Sequence, residues 1–433
     1  MRAGISMALL WLAACPGGDI DLPVDGGFGV DGGQVEDGGT PARPDGGAPL
    51  SDGGQAVGDA GGPGHFLLEA TEADPVLDEA ILEAMADDEI VGLSFAVTVG
   101  RELRYLEGFG AADREQGIPV DPRRSLFRWA SVSKGLVGLV TVHHQLHAGL
   151  DVAADYRELA PDLGHPTAYL PLGCGAEACA LPLPADHPPI NLRRLLDHTA
   201  GVQHYSNGLE DPTPPLEMIN DPEVNTGMAW ALDRFLNQPL VSLPGQRSSY
   251  SSFGFNLAGV VLERDRGRSL AAQVEDVIAR PLGMTSLSPD HHWHAHPDRV
   301  RGYFRNRNGI QFNGDDDVSW KLAAGGFQST PRDFATWCAG LLSDELLNDD
   351  EKFERLWQPG EPIRNYAYGF ELTWDRRGNL SSIGHGGAQQ SVRTALRAYP
   401  EEGLCFTLMS NSTWADASGL LRQFETVWRG AQE

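Results

Sequence analysis

Lysine is scarce in this sequence: of its 33 lysine and arginine residues, three are lysines, namely Lys134, Lys321 and Lys352. Arginine stays charged at any working pH, whereas a buried lysine can lose its proton and act as a base. Lys134 follows Ser131 by three residues in apolar surroundings, a spacing that places a hydroxyl and an amine on one helical face. Serine acyl-transfer enzymes use this spacing, although an N-capping serine followed by a solvated lysine is the alternative.

Positive charge and long hydrophobic runs are also lacking. The formal net charge of −27 argues against nucleic-acid binding, which needs a basic surface. The apolar run from Met7 to Leu12 is too short to cross a bilayer, and no later run is long enough. We therefore expect no membrane-spanning helix.

Residues 1–15 have the features of an export signal. Arg2 precedes the short apolar run, and small residues stand immediately before Cys15, as in secretory signals. The segment resembles a bacterial lipobox, which implies that Cys15 becomes a lipidated N-terminus; an ordinary signal peptide is the alternative. The sequence thus predicts an exported lipoprotein, periplasmic or on the cell surface, that is anchored to the membrane at Cys15.

Residues 16–64 differ in composition from the rest of the chain. Asp-Gly-Gly recurs there between prolines and alanines, beginning at Asp25, Asp31, Asp37, Asp45 and Asp52. So few large apolar side chains cannot offset the entropy of an ordered backbone. We predict a disordered, self-repelling tether.

Cysteines are few: apart from Cys15, the chain contains Cys174, Cys179, Cys338 and Cys405. In an exported protein, Cys174 and Cys179 can close a small disulfide loop. Cys338 lies within a helical pattern and Cys405 within a strand pattern, so both are predicted to be buried free thiols. None has the surroundings of a nucleophile.

Residues 65–433 are predicted to fold as one domain. Strand patterns lie near both of its ends, whereas the middle contains short helical patterns between proline-rich loops. This distribution predicts an α/β (α+β) fold: an antiparallel sheet flanked by helices, with an inserted all-helical lobe. The sheet lobe is expected over about 66–125 and 300–433, the helical lobe over about 126–299, and a cleft at their junction.

Five motifs stand in a fixed order along this domain. They are Phe127–Lys134, Leu195–Gly201, Pro244–Gly254, Ala323–Thr330 and His385–Gly387. In this order they resemble the serine β-lactamase and penicillin-binding-protein superfamily, and in particular its class C branch, which includes D-peptidases and esterases. The resemblance covers the chain from about Pro75 to the C-terminus and implies a β-lactamase/transpeptidase-like fold.

The resemblance also implies roles for individual residues. Ser131 is the nucleophile, Lys134 helps to remove its proton, and Tyr250 passes a proton to the leaving group. His385 takes the first position of the family's Lys-Thr-Gly motif, where it contacts substrate or tunes Tyr250. Backbone N–H groups of Ser131 and Ala388 form the oxyanion hole.

Three further positions are expected to shape the substrate site. Gly386 and Gly387 leave their strand bare, so that the substrate backbone can lie against it. Ser252 stands where the family often has Asn. Because Ser252 and His385 replace an asparagine and a lysine that grip a β-lactam, the sequence favours an esterase or a peptidase. The segment from His198 to Gly201 is expected to be structural, with Gly201 capping a helix.

The sequence therefore predicts an exported, lipid-anchored serine hydrolase that cleaves an ester or amide through an acyl-serine intermediate. β-Lactamase or penicillin-binding activity is one alternative, and a catalytically inactive lipoprotein that binds cell-wall peptides is another. A zinc hydrolase is disfavoured. The His-x-His-x-Asp pattern from His294 to Asp298 resembles that of metallo-β-lactamases, but there a histidine follows, whereas this chain has Arg299. We expect no metal or organic cofactor, a small-molecule or peptide substrate (an ester, a D-peptide or a β-lactam), and no nucleic-acid partner.

Overall fold

The computed structural model describes residues 66–173, 179–205, 227–294, 296–314 and 316–432. The predicted export signal with Cys15, the predicted tether and Cys174 lie outside these residues. The lipid anchor, the tether and the Cys174–Cys179 disulfide therefore stay predictions. Among the described residues, no helix is long and apolar enough to cross a membrane.

The described residues contain sixteen strands, which we number along the chain. They are β1 (Leu68–Glu69), β2 (Gly92–Val99), β3 (Glu102–Asp113), β4 (Ile118–Pro119), β5 (Phe127–Arg128), β6 (Ala168–Tyr169), β7 (Leu181–Pro182), β8 (Ser288–Pro289), β9 (Tyr303–Asn306), β10 (Gly309–Phe312), β11 (Phe327–Ser329), β12 (Tyr366–Ala367), β13 (Phe370–Trp374), β14 (Leu380–Gln389), β15 (Val392–Tyr399) and β16 (Leu404–Ser410).

Along the sequence, most of the helices lie between the two groups of long strands. The α-helices are Pro75–Asp87, Ser133–His147, Tyr156–Leu159, Leu192–Leu196, Met228–Leu232, Ser252–Arg266, Leu270–Val274, Arg280–Leu282, Leu322–Gly325, Pro331–Leu342, Asp349–Glu351 and Ala417–Gln432. Single turns of 3₁₀ helix span Ala130–Val132 and Ser319–Lys321, and π-helical turns span Glu275–Ala279 and Lys352–Leu356.

One nine-stranded sheet joins the two ends of the domain. Its strands follow the order β1-β3-β2-β16-β15-β14-β13-β12, and β4 pairs with β3. All of its pairings are antiparallel except that of β1 with β3. Its strands come from residues 68–119 and 366–410, so the predicted α/β fold with an antiparallel sheet built from distant segments is confirmed.

The two faces of this sheet pack against different helices. In β2, Leu93, Phe95 and Val97 alternate toward a core that they share with the first and last helices of the domain, whereas Ala96 joins the larger core on the opposite face. This alternation follows from the two-residue period of a strand. The larger core also contains the helices of the insert, so the insert covers one face of the sheet.

Two helices of the insert are buried along most of their length. In Ser133–His147, the residues from Ser133 to Val142 are all buried, as are those from Ser252 to Leu262 in Ser252–Arg266. A helix that is buried on every side belongs in the middle of a domain. Gly138 permits this packing, because a Cβ atom there would overlap the Tyr368 carbonyl. The boundary between the two lobes stays a prediction.

The prediction that Cys338 and Cys405 are free thiols is wrong, because the two residues form a disulfide. Both are buried, and each lies in the predicted type of element. The Pro331–Leu342 helix crosses the sheet beside β16, which brings the two Cα atoms to 6.1 Å across 67 residues of sequence. Periodicity predicts each element, but it does not predict which elements are neighbours in space.

Candidate active site

Ser131 lies in a tight turn whose backbone is held on several sides. The Ala130–Val132 turn leads directly into the Ser133–His147 helix, and Ala130 has a φ of +47°, a region that residues other than glycine rarely adopt. Trp129 lies just before the turn. Its backbone N–H donates to the Phe327 carbonyl at 2.8 Å, and its backbone carbonyl accepts from Thr394 Oγ1 at 2.9 Å. The strained turn is therefore fixed by β11 on one side and β15 on the other.

Lys134 lies one helical turn after Ser131, and its side chain is fully buried. The Lys134 amine donates to Ser131 Oγ at 3.0 Å and to the Ala324 carbonyl at 2.8 Å. Ser252 Oγ lies 3.3 Å from the same nitrogen. The structure thus brings the predicted hydroxyl and amine into direct contact, and it excludes the alternative of a solvated lysine.

The carbonyl partner of this amine comes from the fourth of the five motifs, Ala323–Thr330. Ala324 lies at the end of the Leu322–Gly325 helix, and Gly325 packs beside the serine turn: a Cβ atom there would lie 3.4 Å from the Ala130 carbonyl carbon. Gly325 therefore permits close packing of this helix against the serine turn. The Ala324 carbonyl, which accepts a hydrogen bond from Lys134, has no recognisable signal in the sequence, since any residue supplies a carbonyl.

Tyr250 reaches the same serine from the other side of the site. Its hydroxyl donates to Ser131 Oγ at 2.9 Å, and its ring centre lies 4.9 Å from the Lys134 amine. Tyr250 precedes the Ser252–Arg266 helix, whose N-terminus is capped by Ser251. Ser131, Lys134 and Tyr250 therefore form one cluster around a single oxygen atom, although they are up to 119 residues apart in the sequence.

His385 lies in the predicted strand but contacts a residue that the sequence analysis missed. It is buried on β14, and its Nε2 lies 3.0 Å from the hydroxyl of Tyr366. Its Nδ1 contacts the Gly386 carbonyl, and its ring centre is 6.4 Å from that of Tyr250. Burial raises the pKa of Tyr366 well above its usual value, so this phenol keeps its proton. A neutral imidazole satisfies both contacts.

His198 was predicted to be structural, but it lies in the middle of this cluster. The C-cap residue of the Leu192–Leu196 helix is Asp197, not Gly201, and His198 itself has a φ of +60°. Its ring centre is 4.3 Å from that of Tyr250 and 4.7 Å from that of Tyr366. Burial, and then the charge of nearby Lys134, hold the pKa of His198 well below its usual value. This ring is therefore neutral at working pH.

Of the two glycines in the motif on β14, Gly387 packs closely against the serine turn. A Cβ atom at Gly387 would overlap Thr394 Oγ1 and lie 2.7 Å from the Trp129 carbonyl oxygen. At Gly386, a Cβ atom would meet Ser418 Oγ at 3.3 Å. We expected both glycines to make room for substrate, whereas at Gly387 the space is already occupied by the protein's own turn.

The half of β14 that contains these glycines has a strand edge toward the end of β13, beside the site. The pairing of β14 with β13 ends at Gly384, whereas its pairing with β15 continues to Gln389. The segment from His385 to Gln389, which contains Ala388, therefore extends past the end of β13. An extended substrate can add to such an edge through main-chain hydrogen bonds.

Arg393 and the histidines that precede Asp298 make contacts of their own. Arg393 donates to the carbonyls of Gln389 and Val392, so at least part of its hydrogen bonding is local. His292 pairs with buried Asp317, and the ring of His291 stacks on Trp293. Within the described residues, no group of three His, Cys, Asp or Glu side chains is arranged to hold a metal ion.

Fold and site together define a class of protein: an antiparallel sheet with a helical insert, and a serine, a lysine and a tyrosine whose polar atoms meet beside one strand edge. The Beta-lactamase family model matches residues 77–422. The chain belongs to the beta-lactamase family.

Esterase EstB of Burkholderia gladioli is 28% identical over 259 residues, which are 58% of this chain and 61% of the esterase. The chain thus spans about three fifths of this curated relative. Among solved structures, EstCE1, described as a hydrolase with promiscuous acyltransferase activity, has a TM-score of 0.65 at 17% identity and covers 82% of this chain and 98% of its own. The D-amino acid amidase from Ochrobactrum anthropi has a TM-score of 0.60 at 20% identity, with 82% and 99% covered. At these identities, the two structures show the fold alone.

Proposed function

We propose that the protein is a serine hydrolase that cleaves an ester or amide through an acyl-Ser131 intermediate. The observation that carries this proposal is the convergence of two proton-handling groups on one hydroxyl. The Lys134 amine lies 3.0 Å and the Tyr250 hydroxyl 2.9 Å from Ser131 Oγ. A serine hydroxyl becomes a useful nucleophile when a neighbouring base takes its proton. Similarity to an esterase and the fold of an amidase support the same class of reaction.

The proposed reaction has two halves. Ser131 Oγ attacks the substrate carbonyl carbon and gives its proton to the Lys134 amine, while the backbone N–H groups of Ser131 and Ala388 hold the oxyanion. Tyr250 donates a proton to the departing oxygen or nitrogen, and the acyl group stays on Ser131. In the second half, water attacks the acyl carbon and gives a proton to the Tyr250 phenolate. Ser131 Oγ then leaves, takes back its proton from the Lys134 ammonium, and the acid is released. Each half uses general acid–base catalysis, which contributes roughly 10²–10⁴-fold in rate.

The chemistry of the site favours esters and peptides over β-lactams. Position 385 has an imidazole that bonds to Tyr366, where a lysine would provide a fixed positive charge for a substrate carboxylate. Ser252 is buried and its hydroxyl faces the Lys134 amine. Unlike the asparagine that the family often has at this position, serine has no amide group that could bind a lactam. We therefore infer esterase or D-peptidase activity, with β-lactam turnover as the slower alternative.

A fluorophosphonate probe tests the acyl-enzyme directly. We expect intact-protein mass spectrometry to show one adduct on the wild-type protein, and peptide mapping to locate it on Ser131. The Ser131→Ala variant should stay unlabelled. An unlabelled wild-type protein, under conditions that label an esterase of this family, would count against the proposal. A screen of short esters, D-amino-acid peptides and a chromogenic cephalosporin then identifies the substrate class.

We further propose that the protein is exported and attached to a membrane through lipidated Cys15. The short apolar run, the small residues before Cys15 and the acidic tether after it support this location. Metabolic labelling with a palmitate analogue in a bacterial host should modify the wild-type chain but not the Cys15→Ala variant. Equal labelling of both chains, or of neither, would contradict the lipid anchor.

A further inference from the structure

Two histidines hold the backbone that immediately follows Tyr250. The Ser251 N–H donates to His198 Nδ1 at 3.1 Å, and the Ser252 N–H donates to His204 Nδ1 at 3.2 Å. Both imidazoles are almost completely buried. The two acceptors come from one segment, so this segment fixes two successive backbone groups beside the tyrosine.

The same imidazoles also pack against the tyrosine ring. The ring centre of His198 is 4.3 Å from that of Tyr250, and His204 meets the same ring edge-on at 5.5 Å. Aromatic rings prefer tilted or edge-on contacts of this kind over face-to-face stacking. With its ring and the following N–H groups both fixed, the Tyr250 phenol has little freedom to turn away from Ser131.

Main-chain contacts extend this support along the chain. The Ser249 N–H donates to the His198 carbonyl at 2.8 Å, and the Ser251 hydroxyl donates to the Gln203 carbonyl at 2.6 Å. His198 adopts its φ of +60° within this arrangement. Backbone strain of this kind persists where the surroundings determine the conformation, and it concentrates at functional sites.

On the basis of the proposed function, we infer that His198, together with His204, is a positioning residue that aims the Tyr250 hydroxyl at Ser131 and at the leaving group. The role requires an unprotonated Nδ1, because a protonated nitrogen would face another N–H donor. Burial favours the neutral form of an imidazole. His198 acts through Tyr250 and does not itself exchange a proton with the substrate.

Two His198 variants separate its two contacts. In His198→Asn, the side-chain oxygen can still accept the Ser251 N–H, and asparagine tolerates a positive φ, but the ring packing is lost. In His198→Phe, the ring remains but the acceptor is lost. His165→Asn is the matched control, because the His165 ring packs 5.9 Å from Tyr156, a tyrosine outside the cluster.

The readout is the rate ratio for two esters of one acyl group, an ethyl ester and a p-nitrophenyl ester. Nitrophenolate leaves without help, whereas ethoxide must receive a proton, so misplacing Tyr250 slows the ethyl ester selectively. We expect each His198 variant to lower the ethyl-to-nitrophenyl ratio about tenfold, part of the usual contribution of general acid catalysis. The control should keep the wild-type ratio. In the Tyr250→Phe background, His198→Asn should cause no further fall.

An unchanged ratio in folded His198→Asn and His198→Phe would overturn the inference, as would an equal fall with and without Tyr250. If neither variant folds, His204→Asn is measured in the same way and decides by the same criteria. Failure of the proposed function itself is distinguishable, because the wild-type protein would then hydrolyse neither ester and take up no fluorophosphonate.

Discussion

In the proposed reaction, the amine of Lys134 is the base. This nitrogen contacts Ser131 Oγ, Ser252 Oγ and the Ala324 carbonyl within a fully buried pocket. A guanidinium in the same place would be larger and would not give up a proton at working pH. In a chain that elsewhere prefers arginine, a lysine at this position fits the proposed role, which needs a group that can be both protonated and neutral.

We predict that Lys134→Arg is as inactive as Lys134→Ala, although it keeps the positive charge. Loss of the base should lower ester hydrolysis by about 10²–10⁴-fold in both variants. Lys321→Arg is the matched control, because Lys321 lies outside the cluster, with its amine 5.3 Å from the Trp320 ring centre. This control variant should hydrolyse the ester at the wild-type rate. Initial rates at equal protein concentration check the prediction. Wild-type activity in Lys134→Arg would remove Lys134 from the role of base.

Sequence reasoning finds residues that stand in a motif and misses those that act through the fold. Ser131, Lys134 and Tyr250 each stand in a recognisable motif, and the structure brings them together. Tyr366 stands in no motif, and it meets His385 because β12 and β14 flank the same strand, β13. His198 stands in a motif that also ends a helix, so the sequence favoured its structural role.

At the scale of secondary-structure elements, β14 is the strand that links the sheet to the serine turn. Residue periodicity alone indicates a strand from Leu380 to Gly384, and the family resemblance extends this strand to Gly387; in the structure β14 continues to Gln389. Glycine has a low strand propensity, which hid the second half of the strand. Pairing with β15 as far as Val392 stabilises this half. Tertiary context therefore overrides local propensity at the place where the site needs a strand edge.

We predict that Gly387→Ala separates β14 from the serine turn. Its Cβ atom would overlap Thr394 Oγ1 and approach the Trp129 carbonyl, so the strand or the turn must shift. Such overpacking typically costs about 1–3 kcal/mol of unfolding free energy, and the shift should also slow fluorophosphonate labelling of Ser131. Gly386→Ala is the matched control for stability, because its Cβ atom would meet only the Ser418 hydroxyl at 3.3 Å. Urea unfolding compares the two variants; equal stability in both would contradict the role given to Gly387.

At the scale of the whole molecule, chain segments from both ends of the domain build one sheet, and the insert covers one of its faces. The order of motifs and the distribution of strand patterns were enough to predict this architecture. Contacts between elements that are distant in sequence were not predictable in the same way, since periodicity does not report which helix crosses which strand. The Cys338–Cys405 disulfide is such a contact, and disulfides persist mainly in oxidising compartments, which agrees with the proposed export.

This disulfide should contribute to the stability of the whole domain. It closes a loop of 67 residues between the Pro331–Leu342 helix and β16, and a loop of that length restricts the unfolded chain by about 4 kcal/mol. We therefore expect the Cys338→Ala/Cys405→Ala double variant to unfold at a lower urea concentration than the wild-type protein. Its activity per folded molecule should be retained, because neither cysteine belongs to the Ser131 cluster. Free energies of unfolding, measured in urea without reductant, check the prediction. A double variant as stable as the wild-type protein would contradict it and would show that the helix stays packed on the sheet without the disulfide.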